Sequence, residues 1–266
     1  MKNSNLYLLV LAMFLALALS VPSRAQVSLS INIAPPSLVT YRQPVCPGDG
    51  YMWIPGYWAY SPETGYYWVP GYWTLPPDPG MLWTPGYWGF AGGVYVWHGG
   101  YWGRHVGFYG GINYGFGYFG SGYSGGMWRG NTFVYNTAVT HVNTTVVRNT
   151  YVDNHYMVVN NNHVSFNGRG GVTARPSAIE RQYTVEQHYS ATPDQRMQRQ
   201  SAMGNTNLHF ANNQGRVQQQ HIEQQHQNFQ NFRQQHQNEP EFKTPPHAVP
   251  MQRRSGGGRR EGGGRR

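Results

Sequence analysis

A six-residue unit, Trp-x-x-Gly-Tyr-Trp, recurs four times between residues 53 and 102. The copies are Trp53-Ile-Pro-Gly-Tyr-Trp58, Trp68-Val-Pro-Gly-Tyr-Trp73, Trp83-Thr-Pro-Gly-Tyr-Trp88 and Trp97-His-Gly-Gly-Tyr-Trp102. Eight of the nine tryptophans of the chain lie in them, and the first tryptophans are spaced by 15, 15 and 14 residues. The unit is nearly symmetric about its centre. Two copies running antiparallel therefore place tryptophan opposite tryptophan at both ends, the arrangement in which cross-strand pairs stabilise a sheet.

This symmetry fixes where the chain must turn. Pairing Trp53 with Trp73 and Trp58 with Trp68 puts the turn centre at residue 63, inside Ser61-Pro-Glu-Thr-Gly65. Pairing the second and third copies puts it at residue 78, inside Pro76-Pro-Asp-Pro-Gly80. For the third and fourth copies it falls between Gly92 and Gly93, a two-residue hairpin signal, and the tighter turn accounts for the shorter last spacing. The expectation is a mainly β chain with a small antiparallel Trp-rich meander over 51–104, its strands at about 51–60, 66–75, 81–90 and 94–104. Six Trp–Trp pairs would hold it, and Tyr51, Tyr60, Tyr66, Phe90 and Tyr95 would extend the aromatic stripe. Two tryptophans five residues apart fall on opposite faces of a regular strand. The expectation therefore needs a bulge or bend at Pro-Gly to restore the phase. The competing arrangement makes each Pro-Gly a tight turn, with tryptophan facing tryptophan across it.

The repeat resembles the YXWGXW, or WXXGXW, repeat family of exported bacterial proteins, some of them related to a contact-dependent-signalling lipoprotein. The resemblance takes in the N-terminal segment, the four repeats and the Gly-Tyr-rich stretch after them. It implies export and says nothing of a reaction. The lipoprotein members carry an acylatable cysteine after the signal. The single cysteine here, Cys46, is far from that position, so no lipid anchor is implied.

The N-terminus reads as a signal peptide over residues 1–25. Lys2 precedes an apolar run from Leu6 to Leu19, and Ser23-Arg24-Ala25 puts small residues at the −3 and −1 positions of a cleavage site. The run is shorter than the roughly 20 residues that span a bilayer. Cleavage removes Lys2 and Arg24, taking the formal charge from +9 to +7. A linker (26–50) leads into the repeats.

After the repeats come a Gly/Tyr-rich and then Asn/Thr/Val-rich β segment (105–171) and a Gln/Asn/His-rich low-complexity region (172–250). In the β segment, Thr132–Tyr135, Thr144–Val147, Tyr151-Val152 and Met157–Val159 read as short strands. In the low-complexity region Val217, Ile222, Phe229 and Phe232 form a thin apolar stripe at helical spacing, so a marginal helix over 214–237 and disorder are both open. The chain ends in an Arg/Gly tail (251–266) whose six arginines, Arg253, Arg254, Arg259, Arg260, Arg265 and Arg266, face one glutamate. The repeat block carries only Glu63 and Asp78, so charge is segregated from the aromatics.

Charged residues make up 12% of the chain and there is one cysteine, which excludes a disulfide scaffold and a cysteine-built zinc finger. No nucleophile–base–orienter arrangement and no phosphate-binding fingerprint is visible, so no enzyme, cofactor, metal or small-molecule substrate is expected. His98 with His105, and His155 with His163, could meet on sheet faces; both pairs read as ordinary strand or loop residues. The eight repeat tryptophans (Trp53, Trp58, Trp68, Trp73, Trp83, Trp88, Trp97 and Trp102) form either the module's own core or a partly exposed platform for glycan rings or an envelope protein. The six arginines serve either as a polyanion-binding tail or as a solvated one, with nucleic acid only one extracellular polyanion among others.

The expected role is structural or interactive. The protein would reside in the periplasm, at the outer membrane or outside the cell, and would bind surface polymers or outer-membrane components. A self-assembling surface or matrix protein is the alternative. An outer-membrane β-barrel is favoured by ten-residue strands and opposed by the polar strands and the basic tail.

Overall fold

The structure, a computed structural model, describes residues 30–155, 163–236 and 248–249. The signal segment, Met157–Val159 and the six tail arginines lie outside the described residues. The class is the expected one: short, mainly antiparallel strands with a few helices and, among the described residues, no closed barrel.

A short strand, β1 (Ser30–Ile31), precedes the repeats. The first two copies form β2 (Met52–Ile54), β3 (Tyr57–Ser61), β4 (Gly65–Val69) and β5 (Tyr72–Thr74). The last two form β6 (Leu82–Thr84), β7 (Tyr87–Ala91), β8 (Val94–His98) and β9 (Tyr101–Gly103). Each pair of copies is one hairpin broken in the middle. In the first, β3 pairs with β4 with Trp58 opposite Trp68, and β2 pairs with β5 with Trp53 opposite Trp73. In the second, Trp88 faces Trp97 and Trp83 faces Trp102. The turns lie where the symmetry requires. Ser61 pairs with Gly65, and Ala91 pairs with Val94 around Gly92 and Gly93, whose φ of 61° and 86° are those of a primed hairpin turn. The indole centroids of the four facing pairs are 5.2 to 5.4 Å apart and steeply inclined. Such pairs contribute about 0.5–1.5 kcal/mol each beyond their buried area.

The break at Pro-Gly restores the phase. Residues 55–56, 70–71, 85–86 and 99–100 belong to no strand, and the chain bends there so that both tryptophans of a copy face inward. The competing arrangement does not form, since Trp53 faces Trp73 and not Trp58.

The motif glycine is explained by what lies over it. A Cβ on Gly56 would sit 2.4 Å from Cζ2 of Trp68, and one on Gly71 would sit 2.5 Å from Cζ2 of Trp53. The second hairpin repeats this, with Trp97 over Gly86 and Trp83 over Gly100. The first tryptophan of each copy therefore occupies the space over the glycine of its partner copy. The second tryptophan is tied by its indole N–H to a distant acceptor. Trp58 donates to Ser37 O, Trp73 to Pro44 O, Trp88 to Trp58 O and Trp102 to Gln195 Oε1, at 2.7 to 2.9 Å.

The expected meander is corrected at its middle. The second and third copies do not pair, so the Trp68–Trp88 and Trp73–Trp83 pairs are absent and the block is two hairpins. The connection contains Pro76, Pro77 and Pro79, which lack the N–H groups a ladder needs. The hairpins instead meet through side chains: Trp88 reaches Trp58 O, Tyr57 stacks on Trp97 at 5.2 Å, and Tyr66 meets Trp88 edge-on. Tyr118 lies between them and donates to Trp83 O at 3.1 Å.

Later segments complete the edges. β1 joins β8. The Gly/Tyr-rich stretch contributes β10 (Asn113–Gly115) and β11 (Tyr118–Phe119), which pair with each other. The next segment forms β12 (Gly126–Arg129), β13 (Thr132–Asn136) and β14 (Thr150–Tyr151), which make a sheet of their own. Residues 144–146 are a turn rather than the expected strand, with Val147 buried at its end. β15 (Phe166–Asn167) runs parallel to β7.

The low-complexity region folds onto both hairpins, its helices mainly on the first and β16 on the second. It contains α1 (Ala178–Tyr183), β16 (His188–Tyr189, paired with β9), α2 (Pro193–Met203), α3 (Phe210–Asn213) and α4 (Gln219–His236). α1 and α2 both start with a reciprocal capping box, Ser177 with Glu180 and Thr192 with Gln195. Of the two states left open for 214–237, a helix forms over Gln219–His236, while 214–218 are a turn and a loop leading into it. The apolar stripe is turned inward as expected: Ile222 and Phe229 of α4 are buried, Phe232 is half-buried, and Val217 is buried just before the helix. No helix among the described residues is long and apolar enough to cross a membrane.

Candidate binding clefts

The glutamines and histidines of the helices have a defined task. A strand broken at Pro-Gly leaves carbonyls without ladder partners, and a buried carbonyl without a donor is costly. Gln198 donates to Pro70 O at 3.3 Å, and His226 Nε2 bonds Gly71 O at 2.9 Å. Gln225, fully buried, donates to Ser201 Oγ and accepts from Asn205. The polar helices thus supply donors to the carbonyls at the break of the second copy.

This packing decides what the eight tryptophans can do. Trp53, Trp58, Trp68, Trp83, Trp88 and Trp102 are buried, so the expected aromatic platform does not extend to them: the two hairpins and the helices bury their faces in the core. Trp73 and Trp97 are half-buried, and each lines a cleft.

The Trp97 cleft is a narrow space of about 160 Å³ between the Pro-Gly breaks of the two hairpins. Stacked Tyr57 and Trp97 form one side, and Arg196 and Arg199 of α2 stand on another. Burial pushes the Tyr57 phenol up to about 12, against the opposing charge of Arg199.

The Trp73 cleft is larger, about 520 Å³. Its walls come from the segment before β2, the end of β5, the start of α2 and one face of α4. Trp73, Tyr51, Leu75 and Phe229 supply the apolar surface, and Asp194, His226, Gln230 and Arg233 the polar groups. Arg233 Nη2 stands 3.3 Å from Asp194 Oδ2. Burial raises the pKa of the Asp194 carboxyl from its ordinary value, and the charge of Arg233 partly offsets this. Burial also lowers the pKa of His226, with its bond to Gly71 O opposing, which favours the neutral ring.

Tyr72 stands in the wall shared by both clefts, and its hydroxyl is buried without a hydrogen-bond partner. Burial holds that phenol well above its ordinary pKa. Since an unpaired buried hydroxyl costs about 1–3 kcal/mol, Tyr72→Phe should leave stability unchanged or raise it by about 1 kcal/mol. Urea denaturation of the two proteins checks this; a loss above about 1 kcal/mol would mean that the hydroxyl has a partner.

The histidine pairs do not come together. His98 stacks on Tyr87, whereas His105 stacks on Tyr183 and bonds Glu186. His155 bonds Asp153, and the His163 carbonyl accepts from Leu38. Among the described residues no group of three or more His, Cys, Asp or Glu is placed to hold a metal ion. Sequence reasoning did not find Asp194, His226, Phe229 and Arg233 as cleft residues. The helical stripe contained Phe229, but nothing local in the sequence links it to Trp73.

The family described as the WXXGXW repeat matches twice, over residues 48–74 and 79–102. Each match spans one hairpin, that is, two copies of the six-residue unit. No curated protein and no solved structure matches the chain. The chain thus contains two WXXGXW repeats, each of them one broken hairpin of facing tryptophans.

Proposed function

We propose that this WXXGXW-repeat protein is exported to the bacterial envelope and acts there without catalysing a reaction, as a structural or interaction protein. It would bind surface polymers or outer-membrane components. The observation that carries the reading is the division of labour among the aromatics. Six repeat tryptophans are spent on the core, while two are left half-exposed in clefts on a block that carries little charge of its own. The segregated arginines of residues 253–266 supply a second, electrostatic mode of attachment to anionic polymers of the envelope.

Fractionation of the host cell tests the location, and the protein is expected in the periplasmic or outer-membrane fraction. Recovery in the cytoplasm with the N-terminal segment uncleaved would reject export. The tail is tested with lipopolysaccharide as the probe. Affinity of the mature chain should fall at least about tenfold between 50 and 200 mM salt, and deletion of 251–266 should remove that dependence. Equal binding with and without the tail would reject the electrostatic mode.

A further inference from the structure

We infer that the Trp73 cleft is a binding site for neutral, hydroxyl-rich rings, the hexose units of a glycan chain, with Trp73 as the apolar wall and Asp194 and Arg233 as the polar end. The inference rests on the interaction role proposed above and names the ligand class of one of its surfaces.

Three features of the cleft support it. The first is what each wall offers. The Trp73 indole N–H is already used by Pro44 O, so the part of the ring left in the cleft is hydrocarbon. A sugar ring presents a sheet of C–H groups to such a surface while its hydroxyls point outward at the rim. The second is the rim. Asp194 and Arg233 touch through one oxygen and one nitrogen at 3.3 Å. Both side chains keep part of their surface open to solvent, 48% for Arg233 and 28% for Asp194. A carboxylate accepts from hydroxyls and a guanidinium donates to them, and vicinal hydroxyls match such a side-by-side pair. His226 is held by its Nε2–H on Gly71 O, which leaves Nδ1 as one more acceptor when the ring is neutral. The third is charge. Asp194 and Arg233 cancel, and with His226 neutral the lining bears no net charge. A polyanion would face Asp194 with no surplus cation, and a purely apolar ligand would cover these polar groups without satisfying them. The volume of about 520 Å³ lies within the roughly 300–1,000 Å³ of small-ligand sites.

The test is calorimetric titration of the full mature chain with chitotetraose, cellotetraose and maltotetraose. At least one should bind, with an affinity that changes less than about twofold between 50 and 500 mM salt, as expected for a ligand without charge. Arg233→Ala and Trp73→Phe should each weaken it about tenfold or more. Arg233 is a partly exposed ion-pair residue, so its loss should spare the fold, and unchanged circular dichroism checks this. Asp194→Asn, nearly isosteric, is the second variant and should weaken binding to a similar degree. No binding of any of the three up to about 10 mM would overturn the inference, and so would binding that persists unchanged in both Arg233→Ala and Asp194→Asn. Failure here with intact envelope fractionation and tail-dependent lipopolysaccharide binding removes only the cleft. Glycan binding by a protein found in the cytoplasm would keep the cleft and remove the envelope location.

Discussion

Trp53→Ala should cost about 3–5 kcal/mol of folding free energy, a large share of the roughly 5–15 kcal/mol a domain has in total. Trp53 is fully buried. Its ring meets Trp73 at 5.2 Å, Phe116 at 5.7 Å and Tyr41 at 6.2 Å, and lies over Gly71. Removing it empties the centre of the first hairpin, and the surrounding rings are too rigid to close the gap. Trp97→Ala is the internal comparison. It occupies the equivalent first position of the fourth copy and covers Gly86 in the same way, but it is half-buried beside a cleft. Its truncation should cost clearly less, about 2 kcal/mol or below. Denaturant midpoints of the two variants give the answer. Equal losses would contradict the unequal burial on which the division between core and cleft tryptophans depends.

The second large effect comes from adding one carbon. Gly56→Ala should destabilise the chain by about 3 kcal/mol, at the upper end of ordinary overpacking. The new Cβ would lie 2.4 Å from the Trp68 indole and 3.0 Å from the Gly71 nitrogen, so the clash is with a packed ring and with backbone. Neither can move without opening the pairing of Trp58 with Trp68. Gly99→Ala supplies the control. Gly99 stands where the other three copies have proline, and a Cβ there meets nothing within 4 Å. That variant should fall within about 0.5 kcal/mol of the parent. A mild Gly56→Ala, or a harmful Gly99→Ala, would show that the motif glycine is needed for something other than the approach of the opposite tryptophan.

These two positions also mark how far local reasoning reaches. A symmetric unit repeated at a spacing of 14 or 15 residues permits one antiparallel register, and Trp58 faces Trp68 as Trp88 faces Trp97 for that reason. The need for a break at Pro-Gly follows from the period of two along a strand. The stripe of Ile222 and Phe229 on α4, with buried Val217 just before it, is legible because helical spacing is likewise a property of neighbours in the chain. What lies over the glycine is not local in this sense, because the ring over Gly56 belongs to the opposite copy.

The limit appears where one hairpin meets the next. Copies two and three have the same symmetry as the others, yet the prolines of 76–79 remove the ladder donors, and the hairpins pack through side chains instead. The glutamine-rich helices look uncommitted in isolation because a glutamine amide has no preferred partner until a carbonyl lacks one. Pro70 O and Gly71 O lack one because the strand is broken there, and Gln198 and His226 reach them from 128 and 155 residues away.

By itself, then, the amino-acid order determined the mainly β class, the register within each hairpin, the bend that turns both indoles inward and the apolar face of the last helix. All of these arise from interactions at fixed short spacing. The tertiary structure alone decided that the four copies make two hairpins and that the polar helices supply donors to the broken strands. It also decided that Trp73 and Trp97 stay at the rims of clefts while six other tryptophans are buried. The physical reason is that burial and donor–acceptor matching depend on which distant surfaces come into contact, and a chemically repeated unit carries the same local preferences at every copy.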